Sequence, residues 1–227
     1  MVGNIFNILI FSRDINRHHI NKYLLALSCS DEIFVLCIML LFMNMVAISI
    51  DYARGKLFQA YTGIIVFRFL KPTASYLSML MVLLITFERF LAVCFPFKAD
   101  SNLFSRFPKV IILTTFATVI GVNIPGIFVY KLVRQYDPKV NTVITTYGYS
   151  NFAHAGNFST IHATFMKTVF QAIPVLLVLI FNILIIVALK FSKKKQKEMT
   201  IGSNGPNNEK ENRITKTLLG VSTVLIV

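Results

Sequence analysis

Long apolar segments separated by short polar ones dominate the pattern of this chain. Residues 110–130 and 168–189 contain no charged side chain, and each has about the 20 residues that span the hydrocarbon core of a bilayer. Residues 23–50 are almost as apolar, and residues 63–97 form a longer apolar segment with a few charges. Because backbone polar groups in lipid must bond within their own segment, these lengths predict several membrane-spanning helices.

The pattern predicts a single all-α membrane domain over residues 1–227. Its helices are expected at about residues 1–12, 22–49, 62–94, 109–131, 167–190 and 213–227. The first and last apolar segments are each about half a span, so we expect a fragment cut inside two helices, with two short helices as the alternative.

Two polar segments are expected to connect these helices. Residues 191–212 are basic at first and then rich in Gly, Asn and Pro, which predicts a disordered inner loop. Residues 131–167 form a polar outer loop in which "KVNTVITTYGY" alternates like a strand or hairpin.

The charge balance gives an orientation. The formal net charge is +13, and most of the 23 Lys and Arg residues fall on one side if the loop at 11–22 is cytoplasmic. The positive-inside rule favours that orientation. Nucleic-acid binding is not expected, because no basic segment with interleaved aromatic residues stands outside the predicted spans.

The cysteines, histidines and possible nucleophiles do not indicate a disulfide, a metal site or an enzyme active site. Cys29, Cys37 and Cys94 lie within helices or at their inner ends, so the sequence predicts no outer disulfide. The four histidines are scattered without Cys or carboxylate neighbours at ligand spacing, and we predict no metal site. No nucleophile–base pair is evident, so an enzyme is not expected.

Polar residues on one face of the third predicted helix are the clearest functional signal. They recur at spacings of three and four, which defines one helical face. The face comprises Arg68, Lys71, Ser75, Ser78, Val82, Ile85 and Arg89. We expect Arg68, Lys71, Ser75 and the adjacent Tyr76 to line a ligand pocket at the outer end. The alternative is that the two cations extend to the outer headgroups.

Other polar and proline positions inside the spans are also candidates. Asp31 in the second helix needs partners, which hydroxyls such as those of Ser28 and Ser78 are placed to supply, and Asn4 is another buried amide that needs a partner. A purely structural polar cluster is the alternative. Pro125 and Pro174 are expected to kink the fourth and fifth helices.

Several short motifs combine into one family pattern. They are "GN" at 3–4, "LSCSD" at 27–31, "ERF" at 88–90 followed by Val93 and Pro96, "NIPGIF" at 123–128, "PVLLVLIFNILII" at 174–186 and "RITKTLLGV" at 213–221. With these motifs the chain resembles the rhodopsin-like (class A) G-protein-coupled receptors, most nearly the invertebrate FMRFamide-type neuropeptide receptors. The resemblance implies a seven-transmembrane helix bundle, here truncated to part of helix 1 through the start of helix 6.

The resemblance also implies partners and residue roles. Arg89 would be the switch arginine, held by Glu88 at rest, and it would contact a heterotrimeric G protein on activation. Phe90, Pro96 and Phe97 would belong to the same coupling region. Asn4, Asp31 and Ser78 would line a sodium and water pocket, so a sodium ion is the only cofactor implied. The implied setting is the plasma membrane, with a short peptide as the ligand.

The chain departs from the family pattern at its outer side. Ile64 stands near the place of the usual outer cysteine of the third helix, and the long outer loop contains no cysteine. The sequence has no Trp, so the usual fourth-helix tryptophan is missing. Asn157, Phe158 and Ser159 form a glycosylation sequon in the predicted outer loop.

The sequence is also compatible with two functions other than that of a receptor. A non-signalling truncated relic or isoform would share every motif. A multi-span transporter is the less favoured alternative, because the two halves of the chain show no similarity to each other.

Overall fold

The computed structural model of the chain describes residues 2–16, 18–95, 103–138, 141–154 and 157–200. Pro96, Phe97 and the predicted sixth helix at 213–227 lie outside these residues, as does the 201–212 part of the predicted disordered loop.

Apolar helices account for most of the described chain. The elements in order are α1 (Val2–Arg13), α2 (Ile20–Ile50), α3 (Tyr52–Thr62), a π-helical stretch (Gly63–Leu70), α4 (Lys71–Cys94), α5 (Leu103–Arg106), α6 (Pro108–Asn123), α7 (Pro125–Phe128), β1 (Tyr130–Asp137), β2 (Thr142–Tyr149), α8 (Asn151–His154), α9 (Phe158–Lys167), a second π-helical stretch (Thr168–Ala172) and α10 (Ile173–Thr200).

Four continuous helical segments among the described residues are long and apolar enough to cross a membrane. They are Ile20–Ile50, Tyr52–Cys94, Pro108–Phe128 and Phe158–Ser192, and Val2–Arg13 is a shorter apolar helix. We call these four the second to fifth spans. The end of the bundle near Glu88 is called the inner end, and the end that carries the β-hairpin is called the outer end.

The third span forms the centre of the bundle and packs against the second, fourth and fifth. Towards the outer end its Tyr76 and Leu77 join a buried cluster with Val119, Met166 and Phe170. A second buried cluster nearer the inner end comprises Tyr23, Leu27, Met81 and Ile85. Large apolar side chains such as Leu113 and Leu176 remain exposed on the outside, as expected for surfaces that face lipid.

The third span begins about ten residues earlier than the sequence pattern predicted. The segment predicted as an outer turn is helical, because Asp51 has an extended backbone and its carboxylate accepts a hydrogen bond from the Arg54 N–H at 3.1 Å. Gly55 permits the tight turn from α2, since a Cβ there would lie 2.4 Å from the backbone nitrogen of Ile48. The predicted helix began only after the polar residues 51–61. The observed helix begins before them, at the cap that Asp51 provides.

The fourth and fifth spans also differ from their predicted bounds. The fourth ends at Phe128 rather than near 131, because the chain enters β1 at Tyr130. The fifth begins at Phe158 and α10 continues to Thr200, so residues 191–200 of the predicted disordered loop are helical. Lys is a good helix former, so the charge run extends the helix beyond the apolar segment.

Both prolines coincide with irregular helix geometry. Pro125 opens α7 after α6 has ended at Asn123. Pro174 is fully buried and is the second residue of α10, which follows the π-helical stretch Thr168–Ala172. A proline lacks the N–H of the helical ladder, and a local π-helical turn is one way to accommodate it.

The outer loop contains a β-hairpin. β1 and β2 are antiparallel, with Tyr130 opposite Tyr149 at the base and Asp137 opposite Thr142 near the tip. Ser150 closes the base, since its N–H donates to the Val129 carbonyl at 2.9 Å and its hydroxyl to that of Phe128 at 2.6 Å. The alternation in "KVNTVITTYGY" corresponds to β2, whereas β1 begins inside the predicted fourth helix.

Candidate functional site

A cavity of about 380 Å³ opens at the outer end between the third span, α7, the base of the hairpin and α9. Its walls include Arg68, Lys71, Ser75 and Tyr76, the four residues predicted to line a ligand pocket. We call this cavity the outer pocket. Its size falls in the range of about 300–1,000 Å³ that is typical of small-molecule sites.

The positions of these four residues follow from the local helix geometry. Arg68 lies in the π-helical stretch, and Lys71 is the first residue of α4. Ser75 and Tyr76 follow one turn later, so all four project from neighbouring turns of the third span. π-helical turns occur frequently at functional sites, which agrees with the place of this cavity.

The charges of the outer pocket are all of one sign. Arg68, Lys71 and Lys167 line it, and no Asp or Glu stands among the lining residues. Among the residues that the structure describes, none of these three cations has a carboxylate within ion-pair distance. Lys167 was not singled out in the sequence, although a basic residue just before the apolar part of the fifth span was an available signal.

Several polar side chains of the pocket already have partners in the protein. Asn123 donates to the Thr73 hydroxyl at 2.5 Å and to the Phe69 carbonyl at 3.3 Å. His162 contacts the Val122 carbonyl through Nε2 at 3.0 Å, so that nitrogen carries the proton. Asn123 and His162 thus stabilise the walls of the pocket. The cations are the groups that remain available to bind a charged ligand.

Arg68 makes close contacts with aromatic rings of the hairpin. Its guanidinium carbon lies 4.6 Å from the ring centre of Tyr130 and 5.5 Å from that of Tyr147. Burial raises the pKa of the Tyr130 phenol, so this ring stays neutral at physiological pH. Both distances are within the range of cation–π attraction.

Glu88 is buried at the inner end and pairs with a histidine. Its Oε1 lies 2.5 Å from Nε2 of His19, and the residue is 8% exposed. The contact is an ion pair when the imidazole is protonated, but it lacks the alignment of a good hydrogen bond. His19 precedes α2, so the partner of Glu88 comes from the segment that joins the first two helices.

The contact between Glu88 and Arg89 that the family resemblance implied is not formed within ion-pair distance in this structure. Successive residues on an α-helix point about 100° apart, so neighbours in sequence do not face each other. Glu88 accordingly points into the bundle, whereas Arg89 is exposed. The histidine partner was missed because nothing in the local pattern links His19 to the third span.

Aromatic side chains surround this inner end. The rings of Phe87 and Phe90 each lie 5.2 Å from that of Phe181 in the fifth span. Phe87 also meets Phe104 edge-on at 5.1 Å. Phe90, a predicted coupling residue, therefore packs between the third and fifth spans.

The middle of the bundle holds the residues predicted to form a sodium and water pocket. Ser78 donates a hydrogen bond of 2.5 Å to Oδ1 of Asp31. Within the described residues no hydrogen bond joins Asn4 to this pair, although Asn4 is half-buried. The carboxylate and hydroxyl are hard oxygen donors that suit a sodium ion. No cluster of three or more His, Cys, Asp or Glu that could hold a metal occurs in the described part of the chain.

The glycosylation candidate lies on the outer surface. Asn157 is exposed and immediately precedes α9, with a positive φ of 57°. This position makes the side-chain amide accessible from the outer side.

Comparison with models of protein families matches residues 3–227 to the 7 transmembrane receptor (rhodopsin family). A search of curated proteins gave no match.

Proposed function

Because the chain belongs to the rhodopsin family of 7 transmembrane receptors, we propose that its outer pocket binds a short peptide with an acidic group and that its inner end couples to a heterotrimeric G protein. The chain is a multi-pass membrane protein, and receptors of this family typically lie in the plasma membrane.

The charge of the outer pocket is the observation that supports this ligand class. Arg68, Lys71 and Lys167 face a cavity without any acidic side chain in its lining. Bringing like charges together is unfavourable, and a ligand carboxylate offsets that cost through charge-assisted hydrogen bonds. Amine ligands are disfavoured for the same reason, since a cation would add to the repulsion.

A peptide fits the shape of the pocket better than a compact anion does. The cavity is open to the outer surface, and aromatic and hydroxyl groups stand beside the cations, among them Tyr76 and Ser75. The carboxylate can be the C-terminus of the peptide or an acidic side chain. An amidated peptide of the FMRFamide type would need the acidic side chain.

The inner end suits a role in coupling. Arg89 is exposed there, while the carboxylate of Glu88 is held by His19. An arginine with this exposure can reach the C-terminal segment of a G protein, and Phe90, Pro96 and Phe97 would complete the contact. The third span carries Lys71 at one end and Arg89 at the other, so a ligand that favours one packing of this span changes both ends together.

Asp31 and Ser78 lie between the two ends and tie the second span to the third. A bound sodium ion would be held by these two side chains and would neutralise the carboxylate. Asn4 stays a predicted member of this pocket.

The proposal is tested by nucleotide exchange on the full receptor chain in lipid nanodiscs with a panel of G proteins. Short peptides that contain Asp or Glu are compared with their Asn or Gln analogues, each as C-terminal acid and amide. The peptide that stimulates exchange is expected to lose about 10- to 100-fold in potency when its acidic group is neutralised, since a charge-assisted hydrogen bond contributes about 1.5–3 kcal/mol.

Matched variants locate the effect. Lys71→Gln and Lys167→Gln should each remove part of the preference for the acidic peptide. Lys131→Gln, an exposed outer lysine that does not belong to the pocket lining, should keep it. Equal responses to acidic and neutral peptides would overturn the ligand class. Absence of basal and stimulated exchange with every G protein would favour the non-signalling alternative instead.

A further inference from the structure

The outer hairpin contacts the outer half of the third span at three points. Tyr52 donates a hydrogen bond of 2.7 Å to Oδ2 of Asp137 near the hairpin tip. The ring of Tyr147 lies directly against Gly63, where an added Cβ would be 2.8 Å from ring carbons. The third contact is the guanidinium of Arg68 against two tyrosine rings.

The hairpin register presents its tyrosines to Arg68 on one face. Tyr130 is opposite Tyr149, and Tyr147 is two residues before Tyr149, so the three rings share a face of the sheet. The rings of Tyr130 and Tyr147 meet almost at right angles, with centres 6.3 Å apart. Arg68 thus lies beside an aromatic corner that only the paired strands create.

These contacts also shape the outer pocket. Val129 and Tyr130, at the start of the hairpin, belong to the pocket lining, and so does Arg68. All three cysteines of the chain lie in the second and third spans, and none lies in the outer loop. The contacts that place the hairpin within the described residues are therefore noncovalent.

We propose that Arg68 is a positioning residue, which holds the hairpin as the outer wall of the pocket, and that Lys71 and Lys167 recognise the acidic group of the ligand. The second half of this statement rests on the proposed function, whereas the first half concerns the ligand-free protein alone. Arg68 was predicted as a ligand contact; as a positioning residue it acts on the ligand only through the hairpin.

The chemistry of arginine explains why this residue stands here. A planar guanidinium can stack on one ring and approach a second, whereas a lysine ammonium is a compact, strongly hydrated charge. Arg68→Lys therefore keeps the positive charge but loses the stacked contact. The two roles predict different results for this one substitution. A stacking residue loses its ring contact in the ligand-free protein, whereas an anion-binding residue changes only its contact with the ligand carboxylate.

Hydrogen–deuterium exchange of the ligand-free receptor in nanodiscs tests the positioning role. Arg68→Gln and Arg68→Lys should each speed exchange of the backbone amides at 130–137 and 142–149 by about five- to tenfold, because local opening becomes easier. Tyr147→Phe keeps the ring and should leave exchange unchanged. Lys71→Gln is the matched pocket control and should also leave it unchanged. Unchanged exchange in both Arg68 variants, or equally fast exchange in Lys71→Gln, would overturn the positioning role.

Peptide potency then separates the two roles. Arg68→Lys should weaken an acidic peptide and its neutral analogue by the same factor, so the ratio of their potencies stays as in the parent receptor. Lys71→Gln should reduce that ratio. A ratio that falls as much in Arg68→Lys as in Lys71→Gln would show that Arg68 reads the anion and would refute the division of roles. If no peptide acts on any variant, the proposed function fails, and the exchange rates of the hairpin still decide the positioning role.

Discussion

The two ends of the third span place their charged groups in opposite environments. At the outer end, cations face an open cavity and meet aromatic rings, with no acid in the lining. At the inner end, a buried carboxylate meets one histidine from another segment. In both places the partner lies far away in sequence, so neighbouring charges along the chain are a poor guide to pairing.

The difference has energetic consequences. A buried carboxylate is costly unless it is paired, so the contact between His19 and Glu88 should matter for stability. Lys71 and Lys167 in the outer pocket keep contact with water and contribute little to folding. Their excess charge is available for a ligand instead, and we therefore expect stability effects mainly at the inner end and recognition effects at the outer end.

The largest effect is expected at the exposed arginine of the inner end. Arg89→Ala should lower coupling to the G protein by more than about 30-fold, since truncating one partner of a charged contact costs about 2–5 kcal/mol. The measurement is nucleotide exchange at equal surface expression. Arg106→Ala, another exposed inner arginine, is the control and should retain coupling. Loss of coupling in both variants would mean that general positive charge, not Arg89, is required.

The buried pair at the inner end is expected to rank second. A double-mutant cycle of His19→Ala and Glu88→Gln, followed by thermal unfolding in nanodiscs, should give a coupling free energy of about 1–3 kcal/mol. The same cycle with His18→Ala in place of His19→Ala should give a coupling near zero. If the coupling free energy between His19 and Glu88 is no larger than that between His18 and Glu88, the buried pair does not stabilise the inner end.

A smaller effect is expected where the hairpin packs on the third span. Gly63→Ala should destabilise by about 1–3 kcal/mol, because its Cβ would meet the Tyr147 ring at 2.8 Å. Gly121→Ala has no atom within 4 Å of the new Cβ and should stabilise its helix by about 0.5–1 kcal/mol. Thermal unfolding of both variants should give shifts of opposite sign, and a shift of the same sign would argue against the tight contact.

The smallest effect is expected at the exposed ion pair of the outer end. Arg54 lies 3.3 Å from Asp51, but its side chain is 90% exposed. Arg54→Ala should therefore change the free energy of unfolding by less than about 1 kcal/mol. A loss as large as that of His19→Ala would mean that burial does not distinguish the two ends.

The sequence predicted the spans and the family, and the family match over residues 3–227 supports both. Lengths of apolar segments determine the spans, and spacings of three and four residues place Arg68, Lys71 and Ser75 on one helix face. Such local patterns can be predicted from the sequence because they depend only on helix geometry.

Contacts between distant segments could not be predicted in the same way. Nothing near Glu88 in the sequence indicates His19, and nothing near Arg68 indicates Tyr130 or Tyr147. The start of the third span was missed because its first turns are polar, so hydropathy gave no signal there. Each of these features depends on capping or on tertiary packing.

A charge-swap experiment tests whether the outer pocket recognises an acidic peptide through its lysines. Nucleotide exchange is measured for the parent receptor and for Lys71→Glu, each with the stimulating acidic peptide and with an analogue in which the acidic residue is replaced by Lys. We expect the Lys71→Glu receptor to respond less to the acidic peptide and more to the Lys analogue than the parent receptor does. If the acidic peptide acts equally on both receptors, or if the Lys analogue is no more potent on Lys71→Glu than on the parent receptor, the pocket does not recognise the charge of its ligand.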